Sequence, residues 1–544
     1  MAGRAFPVGH VVEVGRHIGR HIGWHSANDA SRRRPRVPRG DEHVVRGPPL
    51  CIVLIFERVP KWDGRLFGLG LRVLLPRDPL RLTGRTSPVC STSMAWHSPR
   101  PDVRKTPDMT AVPRSLHNPF GSLHSPLANV IAPSLLIADG AAAAVFAAVR
   151  HYGPVARDAI ATGSGLSIAT VNRQVSALLE AQLLRERPDL ATPGAIGRPR
   201  IPVEINHEPY LTLGLHIGAR TTSVVASDLF GRTLDAVETP TPGGSQSSAL
   251  ASLADSGRRY LSRWHRRRPL WVGIAVGGVV DSAGGLVDHP RLGWVQAPVG
   301  PALGNALGMP VSVASHVDAM AGAELLFSTP GRRRTGTGDR LSGLHFGDRL
   351  SVLYFYARET VGFAQVIDGR VYTPASGPGT IASLPVRSEM LGGTGTLEST
   401  VSDEAVVAAA CKRGILPVSG PGSTISVLMR ISRRGDAQAA EARELLAERA
   451  RVLGGAVALL RDILNPDEIV VGGQAFTEYL EGLTPLRAAV AQGSSLPVRE
   501  VRLTRFGNRV QESGAGVVSL SSLYADPLGA VRRAHRTADR MKSE

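Results

Sequence analysis

The chain of 544 residues contains three cysteines, Cys51, Cys90 and Cys411. So few exclude a disulfide scaffold and a cysteine-rich zinc module. It contains no run of about 18 apolar residues, so no helix is expected to span a membrane. The opening string, MAGRAFPVGH, lacks the apolar core that a secretory signal needs. The expected compartment is therefore the reducing cytoplasm.

What is present is ordinary for a globular protein. Apolar residues make up 43% and charged residues 20%, enough for at least one large core. At roughly 150 residues per domain, the length implies three or four domains. The 60 glycines and 39 prolines exceed average usage and point to many turns and some loosely structured chain.

The formal charge of +17 is unevenly placed. Residues 1–108 hold 19 Lys and Arg against 9 Asp and Glu, so a strongly basic average says little about the remainder. This first segment carries Arg32, Arg33 and Arg34, many prolines and no sustained period of 3.6 or 2.0. It reads as a disordered extension, or as sequence upstream of a start at Met109, rather than as a phosphate-binding arm. Residues 109–134 read as a linker.

Residues 135–205 read as three helices and a wing. Ala141 to Arg150 is helical, with Val145, Phe146 and Val149 on one face, and Gly153-Pro154 stops it. A short helix from about Val155 to Thr162 and a turn at 163–165 follow. Leu166 packs inward and Ser167 caps a third helix running from Ile168 to about Leu184. Val171, Val175, Leu178, Leu179 and Leu183 form its apolar stripe, opposite Thr170, Asn172, Arg173, Gln174 and Ser176. The string GLSIATVNRQVSALL resembles the recognition helix of winged bacterial repressors. In that geometry Asn172 and Arg173 meet base edges, while Ser167, Thr170 and Ser176 lie near phosphates. Arg198 and Arg200, on a Gly-Arg-Pro-Arg wing, face a phosphate or minor groove. The competing reading is a three-helix unit that serves only as an interface.

Residues 207–525 alternate strands and helices, which implies an α/β fold. Strands are expected at Tyr210 to Ile217, Thr222 to Leu229, Thr233 to Glu238, Leu270 to Val276 and Val311 to Ala314. A second set is expected at Leu350 to Tyr356, Gly362 to Ile367 and Glu468 to Val471. Helices are expected at 247–266, from about 318 to 327, and at 437–464, where Leu446, Leu453 and Leu460 form a core stripe. Two hairpin-plus-helix halves suggest an internal duplication. Residues 526–544 read as a flexible basic tail.

The strings LGLHIGARTT, GIAVGGVVD, VASHVDAMAGAE, VIDGR, GTLE and NPDEIVVGG, in this order, resemble the ROK family (repressors, uncharacterised frames and sugar kinases). The resemblance covers roughly residues 135–525. It implies a duplicated hexokinase/actin-like domain behind a winged helix-turn-helix. It also implies a homodimer or homotetramer, a double-stranded DNA operator as partner and a sugar-like effector.

The departures from the family's kinases bear on function. Their first hairpin reads Asp-x-Gly-Gly-Thr; here His216, Gly218, Ala219 and Arg220 stand there. Their second phosphate loop is glycine-rich; here Arg358, Glu359, Thr360 and Val361 precede a single matching Gly362. Glu359 would repel a triphosphate. The position of the general-base aspartate is His316. The sugar-holding string is replaced by 379–383, with Thr380 and Ser383. The zinc loop reads 389–396, where Glu389 stands alone in place of thiolates, so no zinc is expected. The expectation is therefore a non-enzymatic transcription regulator without cofactor. Its candidate effector pocket is lined by His216, Asp281, His289, Ser315, His316, Asp318, Thr380 and Ser383. Glu324 and Glu398 resemble family positions but carry no assigned role. The alternatives are an ATP-dependent sugar kinase and a scaffold that binds no DNA.

Overall fold

The computed structural model describes residues 129–191, 200–327, 351–374, 377, 379–420, 422–497 and 499–543, and two strands of the N-terminal segment. Those strands, Val53–Arg58 and Leu69–Leu74, pair antiparallel as a unit of their own. Among the described residues no helix is long and apolar enough to cross a membrane.

The second unit opens with helices α1 (Ala141–Tyr152), α2 (Arg157–Ser164) and α3 (Ile168–Glu180). Strands β1 (Leu184–Glu186) and β2 (Val203–Ile205) follow as an antiparallel pair. Two expected boundaries shift. Val155 bridges to Val203 as extended chain, so α2 starts later than residue 155. Gln182, at φ 57°, turns the backbone out of α3, and Leu184 joins β1 instead of the helix.

The first lobe contains β3 (Tyr210–Ile217), β4 (Thr221–Ser227), β5 (Thr233–Pro240), α4 (Gln246–Ser262) and β6 (Arg268–Val276). Three short strands follow: β7 (Val279–Asp281), β8 (Leu286–His289) and β9 (Trp294–Ala297). The lobe continues through α5 (Val299–Leu307), β10 (Val311–Ser315) and α6 (His316–Leu326). The second lobe holds β11 (Val352–Ala357), β12 (Val361–Ile367), β13 (Arg370–Tyr372), β14 (Pro385–Ser388) and β15 (Gly393–Thr396). Helices α7 (Leu397–Val401), α8 (Asp403–Lys412), α9 (Ile425–Ser432) and α10 (Ala437–Leu464) come next. Then follow β16 (Glu468–Gly472), α11 (Gln474–Thr477), α12 (Leu483–Gly493), β17 (Val501–Leu503), α13 (Val510–Ala525) and α14 (Pro527–Ser543).

The two main sheets have the same topology. Their orders are β10-β6-β3-β4-β5 and β17-β16-β11-β12-β13, with a hairpin on one side and parallel crossover strands on the other. Every residue of β3 is buried, as a central strand covered on both faces requires. Helices α6 and α13 are exchanged between the halves. α13 follows the second sheet yet packs on β3 and β6 of the first, while α6 reaches β12 and β13. Close approach there depends on glycine. A Cβ at Gly273 would lie 2.0 Å from the backbone N of Ser519.

Two expected segments look different in place. Part of the expected linker is a strap: Ile131 N donates to Val311 O at 2.8 Å on the edge of the first sheet. A few residues on, Val371 N donates to Leu135 O at 2.9 Å and Ile137 N to Gly369 O at 2.8 Å, on the edge of the second. Leu135 is buried against Gly322 of α6. The expected flexible tail is instead helix α14. Asp526 caps it, accepting from Gly529 N at 2.9 Å, with Pro527 in the first turn where no hydrogen bond is lost. Ala530, Val531 and Ala534, at three- and four-residue spacing, are buried in the core that also holds Phe146, Val175 and Leu178 of the three helices.

Candidate functional site

Two places bring together residues singled out by the sequence. The first is the N-terminal end of α3. Gly165, at φ 69°, ends α2, and Ser167 Oγ accepts from Thr170 N at 3.2 Å. Val171, Val175 and Leu178 are fully buried and hold α3 on α1 and α2. Rotation of the helix then leaves Asn172, Arg173 and Ser176 exposed, with Thr170 half-buried at the rim. Thr170 Oγ1 also lies 2.9 Å from Ser167 Oγ. Arg200 is exposed, its Nη1 2.8 Å from Asp158 Oδ2. Arg198 lies outside the described residues. The arginines of β1 are tied inward: Glu204 accepts from Arg185 Nε at 2.6 Å and from Arg187 Nη1 at 2.8 Å.

The second place is the cleft between the lobes. Ser315 caps α6 by accepting from Asp318 N at 3.2 Å, which starts the helix at His316. His316 stacks on His216 of β3, with ring centroids 6.1 Å apart and planes within 9°. A Cβ built on Gly277 would lie 3.1 Å from His289 Nε2 and 3.9 Å from His316 Cε1, so all three imidazoles converge there. From the second lobe, Tyr356 contributes a ring 5.1 Å from His316. Its hydroxyl accepts from Gln511 Nε2 at 3.1 Å, and Gln511 Oε1 accepts from Arg358 Nη1 at 2.9 Å.

Burial keeps these histidines neutral. It pushes His216 down to about 3, with the charges of His316 and Arg358 adding to the effect, and His316 down to about 4. His289 is lowered for the same reason. Burial raises Asp318 to about 6, opposed by hydrogen bonds from Ser315 and Thr373. Among the described residues, His216 Nε2 and His289 Nδ1 are buried without a hydrogen-bond partner.

The other expected pocket residues do not join this group. Asp281 is exposed and accepts from Ala283 N at 3.0 Å, closing its own turn. Thr380 is exposed and accepts from Ala382 N at 3.2 Å, and Ser383 is exposed in the following turn. Glu324 belongs to another network: it accepts from Thr504 Oγ1 at 2.6 Å and from Arg505 N at 3.0 Å. Glu398 accepts from Val361 N at 3.1 Å and so supports the second hairpin turn. Cys411 is half-buried, donating to Pro417 O at 3.0 Å. Two cavities, of about 380 and 310 Å³, lie away from the histidines.

At the mouth of the cleft, the two altered hairpin turns meet. Arg220 Nε lies 2.7 Å from Glu359 Oε1, and Arg220 Nη2 lies 3.3 Å from Glu404 Oε1. Arg291 Nη2 lies 3.3 Å from Glu404 Oε2. Beneath them Arg449 and Asp403, both buried, pair at 2.6 Å, and Arg449 also donates to the carbonyls of Val401 and Arg358. Sequence reasoning missed Arg291, Glu404, Asp403 and Arg449. The opposite charges newly placed on two equivalent turns were the available signal.

A duplicated two-lobe α/β domain with exchanged helices, preceded by a three-helix unit with a strand pair, defines a hexokinase/actin-like class of protein. The ROK family model matches residues 212–335. Transcriptional regulator Rv0485 of Mycobacterium tuberculosis is 66% identical over 411 residues, 74% of this chain and 90% of that protein. The DNA-binding transcriptional dual regulator NagC of Escherichia coli is 24% identical, over 63% of this chain and 82% of NagC. A crystal structure of a ROK family transcriptional regulator, a homologue of the E. coli MLC protein, superposes with a TM-score of 0.58 at 22% identity. It covers 73% of this chain and 98% of its own, and shares the fold. The chain belongs to the ROK family.

Proposed function

We propose that this chain is a DNA-binding transcription regulator. In this reading residues 135–205 are a winged helix-turn-helix, and residues 207–525 serve assembly and effector sensing. The observation that carries it is the exposed face of α3. A helix fixed by buried Val171, Val175 and Leu178 presents Asn172, Arg173 and Ser176 outward from a capped N-terminus. That is the geometry with which a second helix enters the major groove. Asn and Arg at such positions read adenine and guanine edges. Ser167, Thr170, Arg198 and Arg200 would hold the phosphate backbone. The regulator names of the relatives agree with this reading.

The reading includes a homodimer or homotetramer, which places two heads on two half-sites of a duplex. It includes a sugar-like effector held in the cleft by His216, His289, His316, Ser315 and Asp318. Neutral imidazoles both donate and accept, as a polyhydroxyl ligand requires. Phosphoryl transfer is not part of the reading. The pair of Arg220 and Glu359 occupies the turns where a nucleotide's phosphates would be cradled.

A genome-wide pull-down with the tagged full chain tests the reading, followed by gel shifts on recovered sites with and without sugars. A recurrent palindromic site, released by one sugar or sugar phosphate, is expected. No enriched DNA from a folded preparation would overturn it.

A further inference from the structure

Helix α10 has a side that nothing in the chain covers. Gly454 and Gly455 lie together in its interior, but they face different surroundings. A Cβ on Gly454 would lie 2.6 Å from Leu486 O, so this glycine lets α12 approach. A Cβ on Gly455 would meet nothing within 4 Å. An interior helical glycine weakens the helix relative to alanine, and here no contact within the chain compensates. The same side continues with Leu459, 41% exposed, and Ile463, 67% exposed. Residues 455, 459 and 463 are spaced by four and form one apolar row with a notch at its start.

We propose that two copies of this chain associate through this row, with their α10 helices antiparallel about a two-fold axis at Leu459. The spacing is self-complementary. Leu459 meets Leu459 of the second copy on the axis, and Ile463 of each copy seats in the notch left by Gly455 of the other. A two-fold contact requires this reciprocity, with one patch matching itself. Charge follows the same axis. Arg451, eight residues before Leu459, is half exposed, and Asp467, eight residues after it, is exposed just past the helix end. The arrangement therefore brings each Arg451 toward the other copy's Asp467. The acidic first half of α10, with Glu441 and Glu444, extends away from the axis on both copies. The inference rests on the reading of the chain as a homo-oligomer and names the surface that makes it one.

Sedimentation velocity on the full chain, without DNA, is the first measurement. The wild type is expected to be a dimer or a dimer of dimers. Leu459→Asp, Ile463→Asp and Gly455→Leu are each expected to weaken that association at least tenfold, with unchanged far-UV circular dichroism. In a background with Cys51, Cys90 and Cys411 replaced by Ser, Leu459→Cys is expected to give a disulfide-linked dimer under mild oxidant. Val418→Cys, at an 88% exposed position elsewhere, is expected not to. This cross-link keeps the idea testable if a charged variant misfolds. A wild-type monomer, variants that associate like wild type, or no Leu459→Cys cross-link would each overturn the interface. An α10 dimer that binds no DNA would leave the interface standing and remove the regulator reading. DNA binding by a chain that dimerises elsewhere would do the reverse.

Discussion

Arg220 and Glu359 occupy equivalent turns in the two halves of a duplicated domain, and their side chains meet at 2.7 Å across the cleft. Each residue is unsuited to its turn when considered alone. Together, and with Arg291 and Glu404, they neutralise one another and hold the lobes against each other. The charge that Glu359 would turn against a triphosphate is spent on Arg220.

The first expected outcome concerns that pair. Arg220 is 58% exposed, so a single alanine substitution should cost at most about 1 kcal/mol of stability. Arg220→Glu should do more, because it sets three carboxylates together beside a lone Arg291. The exchanged double variant Arg220→Glu, Glu359→Arg should recover most of the loss. Urea unfolding of the three variants checks this. A double variant no better than Arg220→Glu would deny the pairing.

The buried pair below it should behave differently. Arg449 and Asp403 are each only 3% exposed, and Arg449 also binds two carbonyls. Removing one member leaves an uncompensated charge in the core, at a cost of about 3–5 kcal/mol. Asp403→Ala should therefore lower the denaturation midpoint far more than Glu404→Ala. Equal effects from the two would contradict the burial gradient.

Acid should destabilise the fold through the histidines. Because His216 titrates near 3 and His316 near 4 in the folded chain, against 6.5 for a free imidazole, unfolded chains take up protons first. Their contribution is intact above pH 6.5 and is lost as pH falls from 6.5 toward 4, at about 1.4 kcal/mol per unit of displacement. Asp318 acts in the opposite sense. Its raised value, about 6 against 3.8, favours the fold below pH 3.8, and that gain is lost as pH rises through 6. His216→Asn should flatten the acid limb of a stability–pH curve, whereas Asp318→Asn should steepen it between pH 4 and 6. Parallel curves for wild type and His216→Asn would refute the assignment.

On DNA, Arg173 and Arg200 should separate by the kind of contact. If Arg173 reads a base, Arg173→Ala should cost about 1–3 kcal/mol and relax preference at one position of the site. Arg200→Ala should weaken all sequences alike and reduce the salt slope by about 1. Ser167→Ala removes the α3 cap and should cost about 1 kcal/mol of stability. Titrations at several salt concentrations distinguish the three.

Much of this architecture was legible in the residues. The period of α10 gave Ala437 and Leu464 as its ends, and the stripe of Leu446, Leu453 and Leu460 is buried as expected. The β3/β4 and β11/β12 hairpins were visible because their apolar runs end in short polar turns. Boundaries failed where tertiary contacts override local preference. Val155 is drawn out of α2 by Val203, and Leu184 is drawn out of α3 by Ile205. The tail was misread because its small buried residues, Ala530 and Ala534, give a weak periodic signal beside many arginines. In the cleft, the three histidines could be grouped through their family positions. Asp281, Thr380 and Ser383 could not be excluded, because their roles in local turns depend on backbone geometry.

The strap has consequences for how such proteins can be taken apart. Residues 129–137 complete hydrogen bonds at the edges of both main sheets before the chain enters α1. A cut at residue 206 would therefore give neither a clean head nor a clean sensor, since it strips an edge partner from each lobe. The heritable module is the strap together with the head. Grafting a new recognition helix should be tolerated as an exchange within α3, and replacing the whole head at its apparent boundary should not.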